Sequence, residues 1–548
     1  MIRIAAPILA LLGSAAAAAA PAGAVDPARL SDTVKVLASD AFEGRAPGTP
    51  GEEQTIRYLV DRFRAMGLAP AGDDGGYTQA VPMIRTTAGR PVALAAGGTP
   101  LVPDRDIYVS TIRPDARVAI TDAPMVFVGY GVSAPERGWD DFKGVDLKGK
   151  VAVFLVNDPD FAAAEGDPVA GRFGGRAMTY YGRWTYKFEE AARRGAVAAL
   201  IVHDTGGAGY GWSTVTAPGG VNYDVVRAAG ETPPVALQGW LSGEAATRLF
   251  AAAGLDLAAE RVAARRADFR PRALDGQALT ADIPVTVDRI RSRNVLARLP
   301  GTAQPDETIV YAAHWDAYGV ATGPDGKRVI RPGANDDALG VAAVLEVARL
   351  MKAGPPPART ILFAAWTGEE RGLLGSETFA RHPTVPLEKT VANLTFDILQ
   401  TAGPARDVVQ IGRGQTTLDA DLVRAAAAQG RTVTADAKPE RGLFYRADHF
   451  SFARRGVPVL LMMGIGGGAD LVTGGRAAGD AWVADYTDRC YHKACDAWDA
   501  RWNLTGAAQD VALFLDIGRD LANGRAWPGW QAGSELAQVR AESDAVRR

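Results

Sequence analysis

The stretch Ile361–Leu374, ILFAAWTGEERGLL, decides how the chain is read. An apolar run, Ile361 to Trp366, closes at Thr367-Gly368, and two adjacent glutamates, Glu369 and Glu370, follow. A short continuous apolar run bounded by a turn predicts a buried strand. Carboxylates at the C-terminal end of such a strand sit where open α/β sheets place acids, bases and metal ligands. The alternative is a solvated Glu-Glu pair in a loop, the commoner fate of charged loop residues. The neighbouring motifs decide against it.

Outward from this stretch, strands and helices alternate. Strands are predicted at Ile309–Ala313, Val391–Phe396 and Val457–Met462, and helices at Ala338–Lys352 and Leu418–Gln429. That alternation predicts an α/β sheet with helices on both faces. The strand ends carry His314-Trp315-Asp316 and Asp397, Asn335-Asp336-Asp337 precedes a helix, and Tyr491-His492 lies between Cys490 and Cys495. Two histidines among several carboxylates suit a borderline cation such as Zn²⁺. The set exceeds what one catalytic zinc needs and matches a two-metal site with a bridging carboxylate. His-Glu-x-x-His and Gly-x-Ser-x-Gly are absent, which sets aside single-zinc helix proteases and serine hydrolases. Asp316 lies two residues from His314, close enough to bond the far imidazole nitrogen and fix its tautomer.

The rest of the chain frames this constellation. Its 548 residues suffice for two or three packed domains, and a net charge of −3 argues against a nucleic-acid surface. Arg3, the Ala-rich run Ile4–Ala20 and Ala22-Gly23-Ala24 read as an export signal over residues 1–24, with no membrane span afterwards. In an exported chain Cys490 and Cys495 read as a disulfide; metal ligation and a pair of reduced thiols are the alternatives. Residues 25–70 are predicted helical, with capping-box spacing at Thr49–Glu52 and an apolar face of Ile56, Leu59, Val60, Phe63 and Met66. Residues 71–120 read as a connecting region with short β-like pieces, about 124–264 as a compact β-rich module with one or two helices and no catalytic constellation, and 524–548 as a polar, peripheral tail. His203 reads as structural and His382 as a surface residue.

The segments AAHWDAYG, GANDDALG, TGEERGLLGS, NLTFDI and YHKACD, in this order, resemble the motifs of the co-catalytic two-zinc exopeptidases, which include bacterial secreted aminopeptidases and glutamate carboxypeptidases. Residues 129–159 resemble the start of a protease-associated domain. The resemblance implies a three-layer α/β zinc-exopeptidase fold with a mixed central sheet and an inserted β-rich protease-associated domain. It implies these boundaries: 25–115 for the N-terminal part of the peptidase domain with the connecting region, 116–270 for the insertion, 271–523 for the catalytic domain and 524–548 for the tail. His314, Asp336 and Asp397 would hold one zinc, and Asp336, Glu370 and His492 the other, with manganese or cobalt as alternative metals. Glu369 would be the general base, Asp316 counts as the second catalytic residue through its hold on His314, and Asp336–Asp337 is a candidate cis peptide. Tyr445, Arg446, Asp448 and His449 resemble the family's pocket-lining segment. The expected activity is that of an exported aminopeptidase acting on peptides. A carboxypeptidase of the glutamate carboxypeptidase type and a non-catalytic binding protein on the same scaffold are the rival readings.

Overall fold

The computed structural model describes residues 24–547 except Pro324, so the expected export segment lies outside the described residues apart from Ala24. Among the described residues two α-helices come first, α1 (Pro27–Leu37) and α2 (Pro50–Ala65). Helix α2 begins at Pro50 as the spacing predicts, but the capping bonds are rearranged. The Glu52 carboxylate accepts the Gly48 N–H, while the Thr49 hydroxyl donates to the Ala46 carbonyl at 2.7 Å. Its apolar face, Ile56, Leu59 and Phe63, is buried.

The longer strands that follow are β1 (Thr78–Ala88), β2 (Ala93–Ala96), β3 (Ile107–Ser110), β4 (Arg117–Phe127), β5 (Val151–Leu155), β6 (Ala198–Val202), β7 (Val221–Val225) and β8 (Leu237–Leu241). Helix α3 (Trp184–Arg193) lies between β5 and β6. Then come β9 (Arg272–Leu299), β10 (Gln304–His314), α4 (Leu339–Ala353), β11 (Arg359–Trp366), α5 (Leu374–Arg381), β12 (Thr390–Phe396), α6 (Leu418–Ala428), β13 (Val459–Met462) and α7 (Thr505–Asn523).

Strand β9, 28 residues long, joins two sheets into one mixed array. Its second half pairs antiparallel with β1 and β11; beyond β11, strands β10, β12 and β13 run parallel. Its first half pairs with β2 and β4; beyond β4, strands β5, β6 and β8 are parallel, and β3 closes the edge antiparallel. Parallel strands covered on both faces are apolar throughout, and every residue of β11 is buried. The period-two rule divides β10: Ile309, Tyr311 and Ala313 face the core under α1, α2, α4 and α7, whereas Val310 and Ala312 face the core containing Phe379 and Phe452.

Three features differ from the sequence reading. The expected connecting region holds β1, β2 and β3, and the latter two belong to the second sheet, which therefore begins before residue 116. Strand β7, inside the expected insertion, pairs with β1, which belongs to the sheet of β10, β11 and β12. These pairings are long-range, so no local periodicity announces them. The tail expected to be peripheral is packed: Arg540 is buried and donates to the Thr390 carbonyl at 3.1 Å.

Candidate metal centre

The three parallel strands deliver their side chains to one edge. His314 ends β10, Glu369 and Glu370 follow β11, and Asp397 follows β12. Asp336 comes from the turn ahead of α4, where the Asp336–Asp337 peptide is cis. Asp496 grips that turn: its two carboxylate oxygens accept the N–H groups of Asn335 and Asp336 at 2.9 and 3.0 Å. Asp337 does not line the site. Its buried carboxylate accepts the N–H groups of His314 at 3.2 Å and Gly340 at 2.9 Å. A Cβ at position 340 would meet that oxygen at 2.2 Å, so the close approach requires glycine.

His492 arrives from a loop in which Cys490 and Cys495 are joined by a disulfide. Its Nε2 lies 3.2 Å from both Asp336 Oδ2 and Glu370 Oε2. On the other side, His314 Nε2 lies 3.1 Å from Asp336 Oδ1 and 3.9 Å from Asp397 Oδ1. Two donor triads thus share Asp336, one carboxylate oxygen to each, and within each triad the donor atoms lie within 4.8 Å of one another. Glu369 Oε2 sits 3.9 Å from His314 Nε2 and belongs to neither triad.

The donors fit metal ions. His314 Nε2 is buried and makes no hydrogen bond, although a carboxylate oxygen lies beside it. A buried polar atom left in that state is costly unless something else meets it. Imidazole nitrogens and carboxylate oxygens in two sets of three are zinc-type donors. The crowding of acids appears in their ionisation. Burial, then the charges of Asp397, Glu370 and Asp448, push the Glu369 carboxyl well above its usual range against the pull of His314. Burial and Asp336 do the same to Glu370. Burial acts on Asp336 too, but the contacts from His314 and His492 outweigh it and hold its carboxyl below the usual range.

The other expected residues divide. The Asp316 carboxylate accepts the Glu369 N–H at 3.0 Å, and it is the Asp316 backbone carbonyl, at 3.0 Å, that meets His314 Nδ1, with the carboxylate at 3.7 Å. Asp316 therefore orients both residues, through different atoms from those expected. Asp448 is buried beside the acids, and burial pushes its carboxyl up to about 7. Arg446 meets the Tyr491 hydroxyl at 3.4 Å, and Tyr445 donates to Glu535 at 2.8 Å. His449 is enclosed in the core against Phe444, at 5.1 Å between rings, and burial drops its pKa to about 3. His203 Nε2 donates to the Tyr210 carbonyl, 3.0 Å away, among Trp212 and Trp240, and His382 is exposed.

Sequence reading missed three supporting residues. Arg45, fully buried, donates to the carbonyls of Leu37, Trp315, Pro332 and Gly333 and so ties the His314 strand end to the Asp336 turn. Asp496 braces the same turn, and Tyr318 meets His492. Asp496 sits in the YHKACD segment and was within reach; nothing local marks Arg45.

Residues 294–515 match the family model described as peptidase family M28. This stretch, less than half of the chain, is similar to the M28 peptidases. Among curated proteins, the chain is 38% identical over 126 residues to a "Probable zinc metalloprotease" of Pyricularia oryzae, covering 22% of this chain and 24% of that one. It is 26% identical over 264 residues to a "Probable lipoprotein aminopeptidase LpqL" of Mycobacterium tuberculosis, covering 44% and 49%. The matches thus span half or less of these relatives' lengths. Among solved structures, the aminopeptidase of Aneurinibacillus sp. strain AM-1 aligns over 91% of this chain and 94% of its own at 20% identity and a TM-score of 0.47.

Proposed function

We propose that the chain is an exported two-zinc exopeptidase that releases N-terminal residues from peptides. The observation that carries this reading is the pair of donor triads sharing Asp336, with Glu369 beside them and outside both. His314, Asp336 and Asp397 would hold one ion, and Asp336, Glu370 and His492 the other. Divalent cations held there would supply Lewis-acid polarisation of a peptide carbonyl and acidify water. Glu369 takes a proton from the attacking water at its carboxylate, which burial and the neighbouring acids hold above its usual range and so make a better proton acceptor. The carbonyl carbon gains the water oxygen, the C–N bond breaks, and Glu369 hands the proton to the leaving amine. Asp316 holds the Glu369 backbone in place while Asp337 holds that of His314. The β-rich half built on β4, β5, β6 and β8 is read as a protease-associated insertion.

The aminopeptidase direction rests on charge. Asp448, with one buried oxygen lacking a partner, and the acids around it suit a substrate ammonium better than a carboxylate. A carboxypeptidase is the second reading, favoured by Arg446 and by Arg183 and Arg441, each of which keeps a buried Nε without a partner. The test pairs one peptide acetylated at its N-terminus with the same peptide amidated at its C-terminus. Cleavage of the amidated form alone is expected. Cleavage of only the acetylated form establishes the second reading, and cleavage of neither, with two zinc ions bound, removes both.

A further inference from the structure

The two histidines of the centre have different partners at their far nitrogens. His314 Nδ1 faces the Asp316 carbonyl at 3.0 Å. A carbonyl can only accept, so His314 carries its proton on Nδ1 and its Nε2 offers a lone pair. His492 Nδ1 faces the Tyr318 hydroxyl at 3.1 Å, and a phenol can donate or accept.

Tyr318 is itself held. The Arg371 guanidinium lies 4.7 Å from its ring and Arg331 5.7 Å. Arg371 also lies 5.1 Å from the Tyr223 ring of β7, so it packs between that strand and Tyr318. Such cation–π contacts fix an aromatic ring's place without engaging its hydroxyl. The Tyr318 and His492 rings lie 4.6 Å apart, and Tyr491 covers His492 at 3.7 Å. His492 needs this support more than His314 does, being 30% exposed against 1%.

We propose that Tyr318 is the positioning residue of His492: its hydroxyl fixes Nδ1 so that Nε2 meets the Asp336 and Glu370 oxygens. The role rests on the metal-centre reading. With an ion present, Nδ1–H donates to the Tyr318 oxygen and Nε2 is left free. With Nε2 protonated towards the two carboxylates, the hydroxyl turns and donates to Nδ1. One rotatable O–H serves both tautomers, which a carbonyl could not do.

The test compares the wild-type chain with Tyr318→Phe, which keeps the ring on Arg371 and removes only the hydroxyl. Zinc binding is followed by competition with a chromophoric chelator, and the His492 ring nitrogens by ¹⁵N NMR on protein loaded with zinc. The five histidines of the chain make that spectrum assignable. Loss of an outer partner weakens metal binding by about 10- to 100-fold. The expected result is that loss at one of two ions, with the other unchanged, an unchanged melting temperature, and a His492 Nδ1 signal altered in the variant. A Tyr318→His variant, which restores a donor–acceptor atom, should recover part of the affinity. If Tyr318→Phe binds both ions as the wild type does, or weakens both alike, the positioning role is overturned. If the wild-type chain binds no second ion, the metal-centre reading fails and the role with it.

Discussion

Glu369 and Glu370 are neighbours in sequence with opposite surroundings, so the same substitution separates their roles. Glu370 Oε2 lies 3.2 Å from His492 Nε2, while Glu369 stands outside both triads. Glu369→Gln should lower kcat by about 10²- to 10⁴-fold, the range for removing a general base, and keep both ions. Glu370→Gln should lose one ion. Metal analysis of both purified variants, beside their rates, decides the matter; equal metal content with equal residual rates would refute the assignment. Both glutamates were legible because they follow an apolar run, and Asp397 and His314 for the same reason. Arg45 was not, because its four partners are main-chain carbonyls that any sequence would supply. Asp316 was legible as an orienting residue but not in its atoms. Whether a carboxylate or a carbonyl meets the imidazole depends on about one ångström of backbone placement.

At the scale of elements, α3 carries a buried charge that no motif flags. Lys187, fully buried, donates to the carbonyls of Tyr130 and of Asn157, the latter at 3.1 Å. Burial lowers its pKa to about 8, opposed by the charges of Asp158 and Asp141. Burial raises both aspartates to about 7. These folded values lie above the ordinary carboxyl value of 3.8. Their contribution to stability is therefore fully present below that value and is lost as pH rises to about 7. Above that point the ionised carboxylates depend on Lys187. Lys187→Met should cost about 3–5 kcal/mol at pH 8, as for a buried charge left without its partner, and clearly less at pH 5.5. Denaturant titrations at the two pH values measure this, and an equal loss at both would show that the lysine acts through packing alone. The turn before α4 makes a parallel case. Asp496→Ala leaves the Asn335 and Asp336 N–H groups buried without acceptors, at about 1–3 kcal/mol each, and should weaken zinc binding with the fold otherwise retained. A chelator competition unchanged from the wild type would remove Asp496 from the support of the centre. Element positions were readable here because helices and parallel strands keep their local periods. The pairings of β2, β3 and β7 were not, because register in a sheet is a property of two distant segments.

For the whole molecule the question is what holds the second sheet against the half that carries the donor triads, and the C-terminal tail supplies one answer. Glu535, its side chain only 3% exposed, accepts hydrogen bonds from three places. The Tyr180 N–H at 3.1 Å and the Arg137 guanidinium at 3.2 Å come from the β-rich half; the Tyr445 hydroxyl at 2.8 Å comes from the loop beside Arg446 and Asp448. Tyr180 also packs on Phe450 at 5.2 Å and Tyr445 at 6.3 Å. One carboxylate therefore joins both halves at the segment that resembles a substrate pocket. Sequence reading could not find it, since a lone glutamate in a polar tail looks solvated until the fold brings three donors to it. Glu535→Ala leaves the Tyr445 hydroxyl buried without an acceptor and frees the Tyr180 amide, a loss of about 1–3 kcal/mol. If the Tyr445–His449 segment lines the substrate pocket as its resemblance implies, KM should rise several-fold while zinc content stays at the wild-type level. Thermal unfolding and steady-state kinetics on the same preparation separate this from a general loss of folding. A variant that melts lower but keeps the wild-type KM would make Glu535 a structural tie with no bearing on the pocket. One that matches the wild type in both would show that the aromatic contacts of Tyr180 hold the two halves together without it.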